Sequence, residues 1–291
     1  MDATHEQQGG RLVAIGDTQL YVVERGQGYP LLVLHGGPGL DHRMFGDYLD
    51  PLADRFRLFF VDQRSQGRSA RAPEETWTLR RMAQDVGELA DVLGLARYAV
   101  LGHSYGAFVA LQHAADFPGQ AAQTIVSSGL PSARFLAEVE ANLAAFEPIE
   151  LREQVASSWA REQSARTQDD MASIMHDQFP YQFADPRDPR IAEFESRSAG
   201  AVYSPDVLRY LSSQEYGGIE LEDRLGAITQ PLLVLAGRHD RTCSVAGAEA
   251  IAQGAPRAEL VVFEHSGHMT YVEENERYLA VVRDFLLRHG A

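Results

Sequence analysis

The sequence predicts an α/β fold: a mostly parallel central sheet covered by helices, with a helical cap inserted late in the chain. Three observations predict it. Short apolar runs alternate with stretches of helical periodicity toward both ends of the chain, the βαβα order that builds parallel sheets. The runs 31–34 and 58–61 are apolar at every position, as strands buried on both faces are. Between Pro131 and Glu222 the alternation gives way to Ala-, Glu- and Gln-rich sequence with helical periodicity and no convincing strand.

The elements follow in order. Segments 11–15 and 18–24 alternate like strands and are joined by Gly16-Asp17, a hairpin pattern. Runs 31–34 and 58–61 are the next two strands. Leu79, Met82, Val86, Leu89, Val92 and Leu93 recur at three- and four-residue spacing, which places them on one helix face. Thr78 suits its N-cap and Gly94 its stop. A strand is expected over 98–101, a helix over 106–117 ended by Pro118, and a strand over 124–126. Phe179-Pro180 and Asp185-Pro186-Arg187-Asp188-Pro189 interrupt the helical stretch. Alternation resumes with a strand at 231–236, a helix at 246–253, a strand at 259–263 and a last helix at 275–288. The expected division is a core of residues 1–130 and 223–291 with a cap of residues 131–222.

Composition excludes several classes of function. The net charge is −15, from 26 basic and 41 acidic residues; such a surface repels phosphate backbones and anionic membranes, so neither is an expected partner. Every basic residue is arginine. Without lysine there is no Walker-type phosphate loop, no Schiff-base enzyme and no Ser-Lys hydrolase. One cysteine, Cys243, permits no intramolecular disulfide. Residues 1–10 are polar and no apolar run approaches the ~18 residues of a membrane span. The expectation is a cytoplasmic enzyme without cofactor.

Gly102-His103-Ser104-Tyr105-Gly106 lies between an expected strand and an expected helix. G-x-S-x-G in that context is the nucleophile elbow of the α/β-hydrolase fold, a turn so sharp that it presents the serine. The acid and base then follow in the order Ser, Asp, His. Asp240 stands just after the strand at 231–236, and His268 just after the strand at 259–263, the sheet edge where catalytic groups gather in open α/β folds. Ser104 is expected as nucleophile, His268 as base and Asp240 as the acid that fixes the imidazole. His265 competes as base, whereas His239 and His103 are expected to point elsewhere. No H-E-x-x-H pattern suggests a metal. The loop His35-Gly36-Gly37-Pro38-Gly39 is expected to supply one oxyanion donor, Gly37 N–H, and Tyr105 N–H the other.

H-G-G-P-G at 35–39, Asp62-Gln63-Arg64 with Gly67-Arg68-Ser69, G-x-S-x-G at 102–106, and Gly237-Arg238-His239-Asp240 with Cys243 together resemble the proline iminopeptidases. These are α/β-hydrolases that remove N-terminal residues from short peptides, with the tricorn-interacting aminopeptidases among them. The resemblance covers roughly residues 11–130 and 223–288 and implies the same triad and oxyanion donors. It also implies carboxylates that bind the substrate's ammonium group, for which Glu215 is the candidate in the cap. Two positions depart from the pattern: Ser65 stands where glycine is usual, and Arg241 where some relatives carry an acid. Cys243 is expected near the pocket, and Phe179, Tyr181 and Phe183 as its apolar lining. The same triad hydrolyses esters and lactones, so a carboxylesterase or lactonase is the alternative.

Overall fold

A computed structural model describes residues 9–290; residues 1–8 and 291, the outer ends of the expected core, lie outside it. The strands are β1 (Arg11–Ile15), β2 (Thr18–Arg25), β3 (Tyr29–Leu34), β4 (Phe56–Asp62), β5 (Ala99–His103), β6 (Gln123–Ser127), β7 (Leu232–Gly237) and β8 (Ala258–Phe263). They form one sheet in the order β1-β2-β4-β3-β5-β6-β7-β8. β2 runs antiparallel to both β1 and β4, and every other pairing is parallel.

Side-chain alternation divides the sheet between two cores. Leu32, Leu34, Phe59, Val61, Val234 and Ala236 pack on one face, where α1 (Leu79–Val92) contributes Leu79, Met82, Val86 and Leu89. Leu31, Val33, Leu58, Phe60, Leu233 and Leu235 pack on the other. There the last helix supplies Tyr278, Leu279, Val282, Phe285 and Leu286. Each interior strand therefore needs apolar residues at odd and even positions alike, which is why its sequence shows no alternation. α2 (Tyr105–Asp116), which follows β5, is buried along nearly its whole length.

The expected elements recur with boundaries shifted by a residue or two. Thr78 caps α1 by accepting from Arg81 N–H, and Gly94 has φ +68° just beyond it. Between β6 and β7 the described chain is helical: α3 (Ala137–Ala144), α4 (Ile149–Glu162), α5 (Gln168–Gln182), α6 (Arg190–Arg197), α7 (Pro205–Ser212) and the kinked turn α8 (Glu215–Gly218). Pro180 does not interrupt the chain as expected; it lies in the last turn of α5, where its missing N–H removes one late bond. Beyond β7 come α9 (Val245–Gly254), the short α10 (Thr270–Glu273) and α11 (Asn275–Arg288).

Candidate active site

β5 delivers the chain into α2 through Ser104, whose backbone is held at φ 55° and ψ −120°. This is a sparsely populated conformation for a residue with a side chain. The flanking glycines make the turn sterically feasible. A Cβ on Gly102 would lie 2.0 Å from Gly106 O, and one on Gly106 would lie 2.3 Å from Leu34 O. Ser104 N–H donates to Ser127 O at 2.9 Å, fixing the turn against β6.

Two loops at the same sheet edge bring in a carboxylate and an imidazole. Asp240 follows β7, and its side chain is fully buried. Its Oδ1 accepts from Thr242 N–H and Cys243 N–H, each at 2.8 Å. Its Oδ2 accepts from His268 Nδ1 at 2.8 Å. With Nδ1–H engaged in that bond, Nε2 is left as the ring's basic atom. The backbone around His268 is tied down as well: His268 N–H donates to Gln182 O at 2.7 Å, and Ser128 Oγ donates to His268 O at 3.0 Å. Ser104 and His268 line one cavity of 340 Å³, together with Gly37 and Tyr105.

The expected oxyanion donors belong to residues that line the same cavity as Ser104. Tyr105 opens α2, where first-turn N–H groups lack intrahelical acceptors. Gly37 has φ +117°, and its N–H finds no acceptor among the described residues. Its loop lies against the serine: a Cβ on Gly36 would come 3.1 Å from Ser104 Cβ.

The competing histidines separate cleanly. His265 and His239 are exposed. His103 is fully buried beneath the site, its ring 5.0 Å from that of His268, and burial holds its pKa well below the ordinary histidine value. Cys243 lines the cavity, and burial pushes its thiol pKa up. Of the expected aromatic lining, Tyr181 borders the cavity, Phe179 borders an adjoining one, and Phe183 is core.

Glu215 requires correction as a pocket residue. Its side chain is exposed and takes no part in the cavity wall, because the kink at 215–217 turns Tyr216 inward instead. The buried carboxylate of the cavity is Glu162, 8% exposed near the end of α4. Gln178 Nε2 donates to Glu162 Oε1 at 2.8 Å. No arginine or histidine pairs with Glu162 among the described residues, and burial raises its pKa. A sequence signal existed: Val155, Ser158 and Glu162 share the buried stripe of α4, and a glutamate on such a stripe calls for a partner. Glu140 adds a second carboxylate at the exposed rim.

Arg241 does not line the cavity. Its guanidinium donates to the carbonyls of Tyr181, Phe183 and Ala184 at 3.0, 2.7 and 3.1 Å, and lies over the rings of Phe146 and Tyr181. Free carbonyls at a helix C-terminus attract a cation, and they draw this side chain away from the substrate space.

Residues 29–275 match the family model described as alpha/beta hydrolase fold. The chain belongs to the α/β-hydrolase family and is a hydrolase. Within that class it is 28% identical over 273 residues to a proline iminopeptidase of Heyndrickxia coagulans, covering 90% of this chain and 92% of the relative. Among solved structures, the proline iminopeptidase of Mycobacterium smegmatis superposes with a TM-score of 0.74 at 26% identity, covering 97% of this chain and 98% of the other. The enol-lactonase of Burkholderia xenovorans shares the fold with a TM-score of 0.74 at 20% identity, covering 95% and 100%. No helix among the described residues is long and apolar enough to cross a membrane.

Proposed function

We propose that the chain is a serine aminopeptidase that releases N-terminal, proline-type residues from short peptides, with Ser104, His268 and Asp240 as its triad. The observation that carries the aminopeptidase reading is the cavity shared by Ser104 and His268. It contains a buried carboxylate, Glu162, with no cation of its own, and no arginine lines it. A buried carboxylate is costly unless something positive joins it, and the free α-ammonium of a peptide is such a group. Trp159, Tyr181 and Tyr216 line the same space, and aromatic faces attract ammonium ions. The proline iminopeptidase relatives support the same substrate class.

His268 Nε2 takes the Ser104 proton as Oγ attacks the scissile carbonyl, while Asp240 stabilises the imidazolium through Nδ1–H. The N–H groups of Gly37 and Tyr105 hold the oxyanion. Collapse of the tetrahedral adduct returns the proton to the leaving amine, and water then repeats the sequence on the acyl-enzyme. Helices α3–α8 act as a cap: Trp159, Met175 and Leu208 close the cavity over the serine.

The test compares proline p-nitroanilide, its N-acetyl derivative, p-nitrophenyl acetate and an acyl lactone. The proposal expects cleavage of the free amine and loss of cleavage on acetylation. Efficient ester or lactone turnover, with no cleavage of any unblocked arylamide, selects the carboxylesterase or lactonase alternative instead.

A further inference from the structure

The loop bearing Gly37 is glycine-rich at positions 36, 37 and 39, so its own backbone does little to fix it. Neighbouring groups fasten it from outside. Gln63 Nε2 donates to His35 O at 2.7 Å, and Gly36 N–H donates to Met44 Sδ at 2.8 Å. Gly39 N–H donates to Oε1 of the fully buried Gln66 at 2.7 Å. The other side of the loop is held by residues 199–204, which connect α6 to α7. Ser204 N–H donates to Gly39 O at 2.8 Å. The approach is close: a Cβ on Gly39 would lie 2.9 Å from Ser204 O.

Asp41 stands at the centre of this junction and is fully buried. Its Oδ1 accepts from Arg43 N–H at 2.9 Å. Its Oδ2 accepts from Val202 N–H at 2.8 Å and from Arg68 Nη1 at 2.7 Å. Two further bonds reach the same connector: Arg68 Nη2 to Gly200 O at 3.1 Å and Arg43 Nη1 to Ala199 O at 2.9 Å. The connector leads directly into α7, whose Leu208 lines the cavity.

We propose that Asp41 is a positioning residue: its carboxylate ties the connector 199–204 to the loop 36–41, so that the helical cap holds the Gly37 N–H where the oxyanion forms. The inference rests on the triad and oxyanion assignments above. It follows from geometry, since an oxyanion donor acts only within about 2.7–3.1 Å of the developing charge. A loop fastened on one side only, by Gln63, Met44 and Gln66, lacks that precision. In this arrangement the ground-state substrate is held by the cavity walls, and the Asp41 junction acts on the transition state.

Asp41→Asn is the informative change. The amide keeps the size of the carboxylate but places a donor against Arg43 N–H or against Val202 N–H and Arg68. Arg68→Met leaves the Val202 bond but removes the guanidinium that bridges Asp41 to Gly200 O from the solvent side, and it stands in if Asp41→Asn does not fold. For either folded variant, kcat is expected to fall about 10- to 100-fold, a part of what losing a whole oxyanion donor costs. KM should stay within about threefold. The affinity for phenylboronic acid, which forms a tetrahedral adduct on a nucleophilic serine, should drop by the same factor as kcat/KM. A folded variant with unchanged kcat and boronate affinity, or one whose loss lies in KM alone, overturns the proposal. A wild-type protein that neither reacts with a fluorophosphonate nor binds the boronate overturns the serine-hydrolase reading instead.

Discussion

Gln178 Nε2 reaches across from α5 to donate to Glu162 Oε1 at 2.8 Å, and no described cation completes the arrangement. If that carboxylate receives the substrate's ammonium, Glu162→Gln should raise KM for proline p-nitroanilide at least about thirtyfold, since losing one partner of a buried charge pair costs ~2 kcal/mol or more. Turnover of p-nitrophenyl acetate should change little. Glu215→Gln, at an exposed position, should leave both substrates alone. Equal effects of Glu162→Gln on amine and ester would remove Glu162 from ammonium recognition.

The same group sets a pH dependence. Burial raises the Glu162 pKa, so on acidification it takes up its proton earlier than an ordinary glutamate does. Protonation removes the charge that holds the amine. KM for the free amine should therefore rise as pH falls through that raised value, while KM for the neutral ester stays flat. Steady-state kinetics on both substrates across the acid range reads the difference.

Glu273 predicts a stability effect. Its carboxylate accepts from Ala184 N–H at 2.7 Å and Gly267 N–H at 2.8 Å, tying the His268 loop to the end of the α5 segment. Burial outweighs those bonds and raises its pKa from 4.5 to about 7. The folded state thus holds the proton more tightly than the unfolded state. That stabilisation is complete below about pH 4.5 and is lost as pH rises through 7. The loss amounts to at most about 3.5 kcal/mol, at ~1.4 kcal/mol per pKa unit. Urea unfolding between pH 4 and 8 should show a decline in wild type that Glu273→Gln flattens; parallel profiles would contradict it.

Arg241→Met should weaken the fold and spare substrate preference. Three carbonyls at the end of α5 lose their donor, for a cost of about 1–3 kcal/mol. The ratio of amine to ester turnover should stay within about threefold of wild type. A switch in that ratio would return Arg241 to the substrate space.

His268→Ala and His265→Ala separate the two candidate bases. The first removes the imidazole bonded to Asp240 and should cost several orders of magnitude in kcat. The second removes an exposed ring and should cost less than about threefold. Reversal of that order would move the base to His265.

Much of this was legible because local physics dictated it. The α1 stripe from Leu79 to Leu89 needs only helical periodicity, and G-x-S-x-G needs only a turn too tight for a Cβ at Gly102 or Gly106. What escaped depends on tertiary direction. Glu215 and Glu162 are both glutamates in helical sequence, but a kink exposes the first and the buried stripe of α4 encloses the second. Arg241 reads in sequence as a charge beside Asp240; the carbonyls that claim it lie some 60 residues away in sequence. The junction of Asp41 with Val202 spans 161 positions, and nothing in either segment alone announces it.

Fluorophosphonate labelling followed by peptide mass spectrometry asks whether Ser104 is the nucleophile. One adduct is expected, on Ser104, and it should disappear in Ser104→Ala together with nearly all hydrolysis, a loss on the order of 10⁶ in the best-measured triad. The Ser104→Ala protein should remain folded. An adduct on another serine, or a folded Ser104→Ala protein that retains turnover, would contradict it.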